Sequence, residues 1–473
     1  MRHLSASILD SYPKLSVDPD PILKELIAKD DHVFVVLDDD PTGVQCVHDI
    51  NVYTDWSYET MKKAFACEKL FFILTNSRAM TPAESKRCHE QIIEAVDKAA
   101  KETNKKYLYI SRGDSTLRGH YPLETDILSQ GLEKRYGKVD GEILMPFFKE
   151  GNRFTIDDVH YVKYGNELVP CGETEFAKDK SFGYKSSDLK AYICEKTNGQ
   201  IKEDEVLSIS LDDLRAFDID KILDVLRSAQ DKRRIIVNAI DHTDVKVFCI
   251  ALYKAMEEGK IFVFRSAAAL VKAIGGVSDI PLLCRSQMIK EEAGSGGIIL
   301  VGSHTAKTTA QLNKLLELEE VEGREFKCSK ILESKQAFDA EIEEMLKWEE
   351  EKISQGKTIV VYTERTLLSL PGDNEETALK RSVAISDGVC QLVKNLKVEP
   401  AFVVAKGGIT SADVGTKGLG IRKARVLGQI QPGIPVWQAD DTSKFPRIPY
   451  IIFPGNVGDE DTLKKAVEVL LTR

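Results

Sequence analysis

Several chemistries are missing from this sequence. No pair among its nine cysteines has Cys-x-x-Cys spacing, which argues against a zinc knuckle or a redox dithiol. An odd number of singly scattered cysteines in 473 residues also argues against a disulfide framework, so a reducing, cytoplasmic compartment is expected. Residues 1–31 are polar and lack the apolar core of a signal peptide, and no apolar run approaches the roughly 20 residues of a membrane span. No long basic tract appears, and 65 Lys and Arg stand against 75 Asp and Glu, for a net charge of -10. The expectation is therefore no nucleic-acid partner and no membrane partner. There is no P-loop: neither Gly302-Ser303-His304-Thr305 nor Lys357-Thr358 completes that pattern. No Gly-x-Gly-x-x-Gly follows the first strand, and Gly415-Thr416-Lys417-Gly418-Leu419-Gly420 follows helix-like sequence instead. Gly-x-Ser-x-Gly and His-Glu-x-x-His are absent as well. Dehydrogenase, serine hydrolase and zinc enzyme all lose ground.

What is there is a soluble α/β pattern. A chain of this length exceeds one ordinary core, so two or three domains are expected. Residues 1–31 read as an arm with one short helix near Ile22 to Ala28. Val33 to Leu37 is an apolar, β-branched strand that runs into Asp38-Asp39-Asp40-Pro41-Thr42-Gly43. Like charges repel, so three carboxylates at one strand end point to function rather than stability. Leu70 to Leu74 ends at Thr75-Asn76-Ser77-Arg78, and Thr81-Pro82-Ala83-Glu84 carries the signals of a helix start. Tyr107 to Ile110 leads to Ser111 through His120, and Glu142 to Met145 reads as a fourth strand. Strands and helices in alternation predict a doubly wound sheet, with ligands beyond the strand C-termini. Asp40, Arg78 and the Arg112 to Arg118 segment then face one crevice, with Asn238, Asp241, His242 and Arg265 as further candidates. A small hairpin is expected across Lys163 to Asn166, with His160 read as structural. Leu211 to Arg227 reads as helix, and so does the face made by Phe338, Ile342 and Leu346.

The second half repeats one device, a short apolar strand running into a Gly/Ser/Thr-rich turn. Ile298 to Val301 meets Gly302-Ser303-His304-Thr305, Ala401 to Ala405 meets Lys406-Gly407-Gly408-Ile409-Thr410, and Tyr450 to Phe453 meets Pro454-Gly455-Asn456-Val457-Gly458. Such turns expose backbone N–H groups that suit an anion, and three on one parallel sheet would suit a nucleotide. The Gly/Pro/Ser-rich stretch 275–297 is read as the boundary. The expected division is an arm over 1–31, a substrate domain over 32–292 and a nucleotide domain over 293–473. Each domain is expected to hold a mainly parallel sheet flanked by helices, with the active site in the cleft between them.

The order of these motifs resembles the four-carbon acid sugar kinase family, once catalogued as a family of unknown function. The resemblance rests on Asp39-Asp40-Pro41-Thr42-Gly43, Asp114-Ser115-Thr116-Leu117-Arg118-Gly119, Gly407-Gly408-Ile409-Thr410 and the Gly455 turn. It implies an N-terminal domain for a sugar acid such as threonate, erythronate or 3-oxo-tetronate, and a C-terminal domain for ATP, used with Mg²⁺. It implies substrate contacts at Asp40, Arg78, Arg112, Gly113, Asp114, Ser115 and Arg118. Asp40 or Asp114 would orient and deprotonate the attacking hydroxyl. ATP contacts are implied at Ser303, Gly407, Gly408, Ile409, Thr410 and Gly455; the metal ligands stay open. The chain departs from the family pattern at Asp38, Pro41, Ile409 and Phe453-Pro454, and at Arg112, where many relatives carry lysine. A non-catalytic sensor of sugar acids or nucleotides and another α/β enzyme acting on sugar acids are the alternative readings. A homodimer is the base-rate expectation for its assembly.

Overall fold

A computed structural model describes residues 2–290, 294–366, 368, 375–455 and 457–472. The chain divides into two compact units, Met1–Val47 with Asp55–Asp279, and His48–Thr54 with Ile280–Arg473. Both are α/β units built on mainly parallel sheets flanked by helices.

In the first unit seven parallel strands lie in the order Leu207–Ile209, Arg233–Val237, Gly141–Met145, Phe262–Ser266, Lys106–Arg112, His32–Asp38 and Leu70–Leu74. Every residue of His32–Asp38 is buried, as a parallel strand covered on both faces requires. One group of helices, Tyr58–Cys67, Pro82–Thr103 and Leu123–Tyr136, packs side by side. Another gathers Asp20–Lys29, Ile219–Ser228 and Ala268–Ile274 around His242–Glu257. Pro82–Thr103 starts as its sequence dictates, with Thr81 and Glu84 in a reciprocal capping box and proline in the first turn.

The expected hairpin is present and belongs to a small antiparallel sheet of Arg153–Ile156, Val159–Tyr164 and Glu167–Pro170, which Leu4–Ser5 joins at its edge. The N-terminal arm is thus tied down. Leu4 pairs with Leu168, and Lys246 reaches Asp20 at the head of the arm's helix at 2.6 Å. The single helix expected over 211–227 is two, Leu211–Arg215 and Ile219–Ser228. Phe217 takes a left-handed φ of 55°, and the Asp218 side chain caps the second helix by accepting from the Lys221 amide.

The second unit carries five parallel strands, Pro449–Phe453, Val403–Lys406, Ile298–Val301, Thr358–Thr363 and Val321–Phe326. Ile434–Ala439, Lys423–Gln431 and Asn51–Tyr53 extend the sheet in antiparallel fashion. Residues 280–290, expected with the first domain, belong here. The Leu283 amide donates to the Gln429 carbonyl at 2.8 Å, and Leu283, Met288 and Ile289 join the core with Ile299, Val404 and Ile451. Segment 48–54 also pairs in this unit, through Asp49 and Ile50 with Val426.

Candidate functional site

The first candidate site forms where strands His32–Asp38, Leu70–Leu74 and Lys106–Arg112 end. The three aspartates there are not equivalent. Asp38 and Asp39 are buried, whereas the Asp40 side chain keeps 17% of its surface exposed. Of the triplet, Asp40 is the one that a ligand can reach. The Thr42 amide and hydroxyl both donate to Asp40 Oδ1, at 2.9 and 2.6 Å. Arg78 Nη1 meets Oδ2 at 3.3 Å. Burial pushes this carboxyl up, but Arg78 and the Thr42 hydrogen bonds outweigh it and hold Asp40 below the ordinary aspartate value. Gly43 closes the turn; a Cβ there would lie 1.7 Å from Asp38 Oδ2.

Arg78 also clamps Asp39 with two hydrogen bonds, Nη2 at 2.8 Å and Nε at 3.3 Å. Burial raises Asp39 despite Arg78, and pushes Asp38 up to about 8 despite Arg112. Arg112 itself is buried, with Nη1 3.4 Å from Asp38 Oδ1. Its charge is used behind the surface that the sequence assigns it to.

The loop after Arg112 is held from several sides. His160 Nε2 donates to the Ser115 carbonyl at 2.8 Å, and the Thr155 hydroxyl meets His160 Nδ1 at 2.9 Å. Burial lowers this imidazole to about 4, so it is neutral and structural, as read from the sequence. Tyr184 and Tyr192 hydroxyls donate to the carbonyls of Thr116 and Leu117 at 2.7 and 2.8 Å. Arg265 Nη2 donates to the Arg118 carbonyl at 2.9 Å, while Nη1 reaches Ser111 and the buried Glu124. Gly113 packs against it: a Cβ there would stand 2.1 Å from Arg265 Nη1 and displace the guanidinium. Asp114 accepts from Arg118 Nε at 2.7 Å and from the Thr116 hydroxyl. Burial works against its charge, but Arg78, Arg118 and these hydrogen bonds hold it well below the usual carboxylate range. Asp40, Arg78, Asp114 and Arg118 are thus brought together around one polar surface, whereas Ser115 is buried.

Three other candidates are spent elsewhere. Asn238 bonds Asp158 and the Ile209 carbonyl, Asp241 caps a helix and pairs with Lys149, and His242 meets Glu150 at 2.9 Å. The sequence reading missed Glu124, a carboxylate inside a helix whose pattern carries no site signal.

The second site lies wholly within the second unit. A cavity of about 380 Å³ is lined by Ser303, Gly407, Gly408, Ile409, Thr410 and Gly455, every nucleotide contact expected there. The turns fit tightly. A Cβ on Gly302 would stand 2.3 Å from Thr410 Oγ1, and Gly407 has a φ of 122°. Ile409 is 64% exposed, an apolar side chain offered at the cavity rather than packed in a core. Two cations missed from sequence hold the turns. Lys406 is buried and donates to the carbonyls of Pro454 and Gly455 at 2.6 and 3.1 Å. Burial lowers its ammonium to about 7, with Lys307 adding to the effect. Arg365 donates to the Ser303 carbonyl and, at 3.3 Å, to Thr309. A lysine closing an apolar strand just before Gly-Gly was the available signal. Asn456, in the last turn, lies outside the described residues. The cavity's apolar wall includes Leu368, Ile385 and Val389, and Arg381 and Glu364 also line it.

Comparison with known proteins agrees with this division. A family model described as a sugar-binding N-terminal domain matches residues 34–274, and one described as a nucleotide-binding C-terminal domain matches residues 298–463. No curated protein sequence matches the chain. Among solved structures it is similar to a Salmonella typhimurium LT2 protein provisionally called a tRNA synthase, at 16% identity and a TM-score of 0.66, covering 92% of this chain and 98% of that one. It is likewise similar to a Haemophilus influenzae protein of a family of unknown function, at 17% identity and a TM-score of 0.60, covering 92% and 100%. At such identities the likeness carries the fold alone. With a sugar-binding and a nucleotide-binding domain matched in this order along its length, the chain belongs to the four-carbon acid sugar kinase family.

Proposed function

We propose that this protein is a kinase that transfers the γ-phosphoryl group of ATP to a hydroxyl of a four-carbon sugar acid of the threonate, erythronate or 3-oxo-tetronate type. The observation that carries the reading is the pairing of two chemistries in one chain. One is a cluster of ionised carboxylates and arginines in the sugar-binding domain; the other is a cavity of glycine turns in the nucleotide-binding domain.

Phosphoryl transfer asks mainly for positioning and for charge stabilisation. Arg78 and Arg118, each already oriented by an aspartate, supply fixed donors for the acid's oxygens. Asp40 accepts a hydrogen bond from the attacking hydroxyl and takes its proton late, when little basicity is needed. Asp114, held by two arginines, binds sugar hydroxyls without needing to move a proton. In the second unit, a phosphate needs close backbone approach. The backbone angle of Gly407, open to glycine and strained for other residues, fits that requirement. Bound with the triphosphate, Mg²⁺ would supply charge neutralisation. Among the described residues lining the cavity the carboxylate is Glu364, which accepts from the Ser329 hydroxyl at 2.9 Å. It is therefore not assigned as a metal ligand.

A panel of four-carbon acids with Mg-ATP, followed by ADP release and mass analysis of the acid, tests the reading. One or more acids should gain a phosphoryl group in step with ADP. Binding of acid and ATP with no phosphorylated product would leave a sensor instead.

A further inference from the structure

Arg153 opens the strand Arg153–Ile156 and was not among the expected site residues. Its guanidinium carbon lies 5.3 Å from the centre of the Phe176 ring, and that of Arg118 lies 5.2 Å from the same centre. Both guanidinium groups are thus buttressed by one aromatic side chain. Their charges are treated differently. Arg118 is paired with Asp114 at 2.7 Å and Asp179 at 3.6 Å. Arg153 forms no side-chain hydrogen bond and no ion pair with any described residue, and its Nε is buried without an acceptor. Burial, the largest influence, pulls its pKa below the usual guanidinium value; Asp114 favours the charge and Arg118 opposes it. A partly desolvated cation with no counter-ion is costly to the fold. The Phe176 ring and the field of Asp114 offset only part of that cost, since the net shift remains downward, while the strand that carries it also anchors the Asp114 loop through Thr155 and His160.

We propose that Arg153 is a specificity-determining residue of the acceptor site, whose unpaired guanidinium receives the carboxylate of the substrate beside Arg118 and Asp114. The inference deepens the kinase reading and rests on it for the identity of the ligand. A planar fork of donors matches a carboxylate in two bonds, and the Phe176 ring orients that fork before the ligand arrives. The acid then supplies the charge that the fold leaves out. A neutral tetritol or amide of the same size would not. A residue that only stapled the strand to Phe176 would be indifferent to the charge of the ligand.

The test measures binding of sodium threonate and sodium erythronate, and of their neutral primary amides, to the full chain by calorimetry. Wild type is compared with Arg153→Gln and Arg153→Lys, with thermal unfolding and ADP release recorded in parallel. Arg153→Gln should weaken the better acid by about 30-fold, the loss of a charge-assisted pair, and leave the amide within about twofold. Arg153→Lys should keep part of the acid preference. The inference is overturned if Arg153→Gln binds acid as wild type does, or if acid and amide weaken together alongside a lowered unfolding temperature. It is also overturned if wild type binds the amide as tightly as the acid. Should Arg153→Gln fail to fold, the acid-to-amide ratio of wild type against Arg153→Lys decides. Arg153-dependent acid binding without ADP release would sink the kinase reading and leave this inference standing. ADP release with undiminished acid affinity in Arg153→Gln would do the reverse.

Discussion

At the scale of the residue, the aspartate triplet shows how neighbours separate three identical side chains. Asp38 and Asp39 lie behind the surface and are raised by burial, whereas Asp40 is reachable and ionised. Replacing Asp40 by Asn keeps the shape of the turn and removes the charge. Steady-state kinetics of Asp40→Asn should show kcat reduced by about 100-fold or more, the usual scale for a positioned proton acceptor, with the unfolding temperature nearly unchanged. An unchanged kcat would take the role from Asp40 and leave Asp114 as the candidate. That three carboxylates cluster at a strand end was legible in sequence. That only one of them is left part-exposed was not, because it depends on where Arg78, Arg112 and Gly43 come to rest around them.

At the scale of the element, the loop from Arg112 to Gly119 depends on a neighbouring hairpin. His160 donates to the Ser115 carbonyl as a neutral imidazole, its pKa lowered by burial from 6.5 to about 4. The unfolded chain binds that proton first, so the contribution is whole above pH 6.5 and is lost as pH falls through about 4. Denaturant titrations should show stability falling by up to about 3 kcal/mol across that window, and His160→Gln should flatten the fall. An equally steep fall in His160→Gln would assign it to other groups. In the second unit, Gly407→Ala forces a φ of 122° on a residue with a side chain, at a cost of about 1–3 kcal/mol. ATP binding by that variant should weaken at least about tenfold while acid binding stays as in wild type; loss of both would point to unfolding rather than to the turn.

The elements themselves differ in how plainly they were written. Apolar runs such as Val33 to Leu37 within His32–Asp38, and Ile298–Val301, and the capped helix Pro82–Thr103, declare themselves through local pattern. Val321–Phe326 sits in a run rich in charge and buries only its two end residues, so its composition hides it. The hairpin Lys423–Gln431 with Ile434–Ala439 was also missed, its pairing interrupted by irregularities near Gly428 and Gln431. The break at Phe217 is decided by a single left-handed residue, which periodicity does not register.

At the scale of the whole molecule, the account joins a sugar-binding and a nucleotide-binding domain into one reaction. The turns that line the cavity of the second unit were legible because Gly-rich chemistry after apolar strands is a local signal. The cations that hold them, Lys406 and Arg365, were not, since their partners are carbonyls of other turns brought close by the sheet. The boundary near residue 280, and the pairing of segment 48–54 with the second unit, also depend on contacts distant in sequence. The central claim is tested most directly by incubating the protein with Mg-ATP and each of D-threonate, L-threonate, D-erythronate and L-erythronate, and following ADP and phosphorylated acid together. The account predicts stoichiometric formation of both with at least one acid. Saturating binding of acid and ATP with ADP no higher than in the acid-free control, across the whole panel, would contradict it.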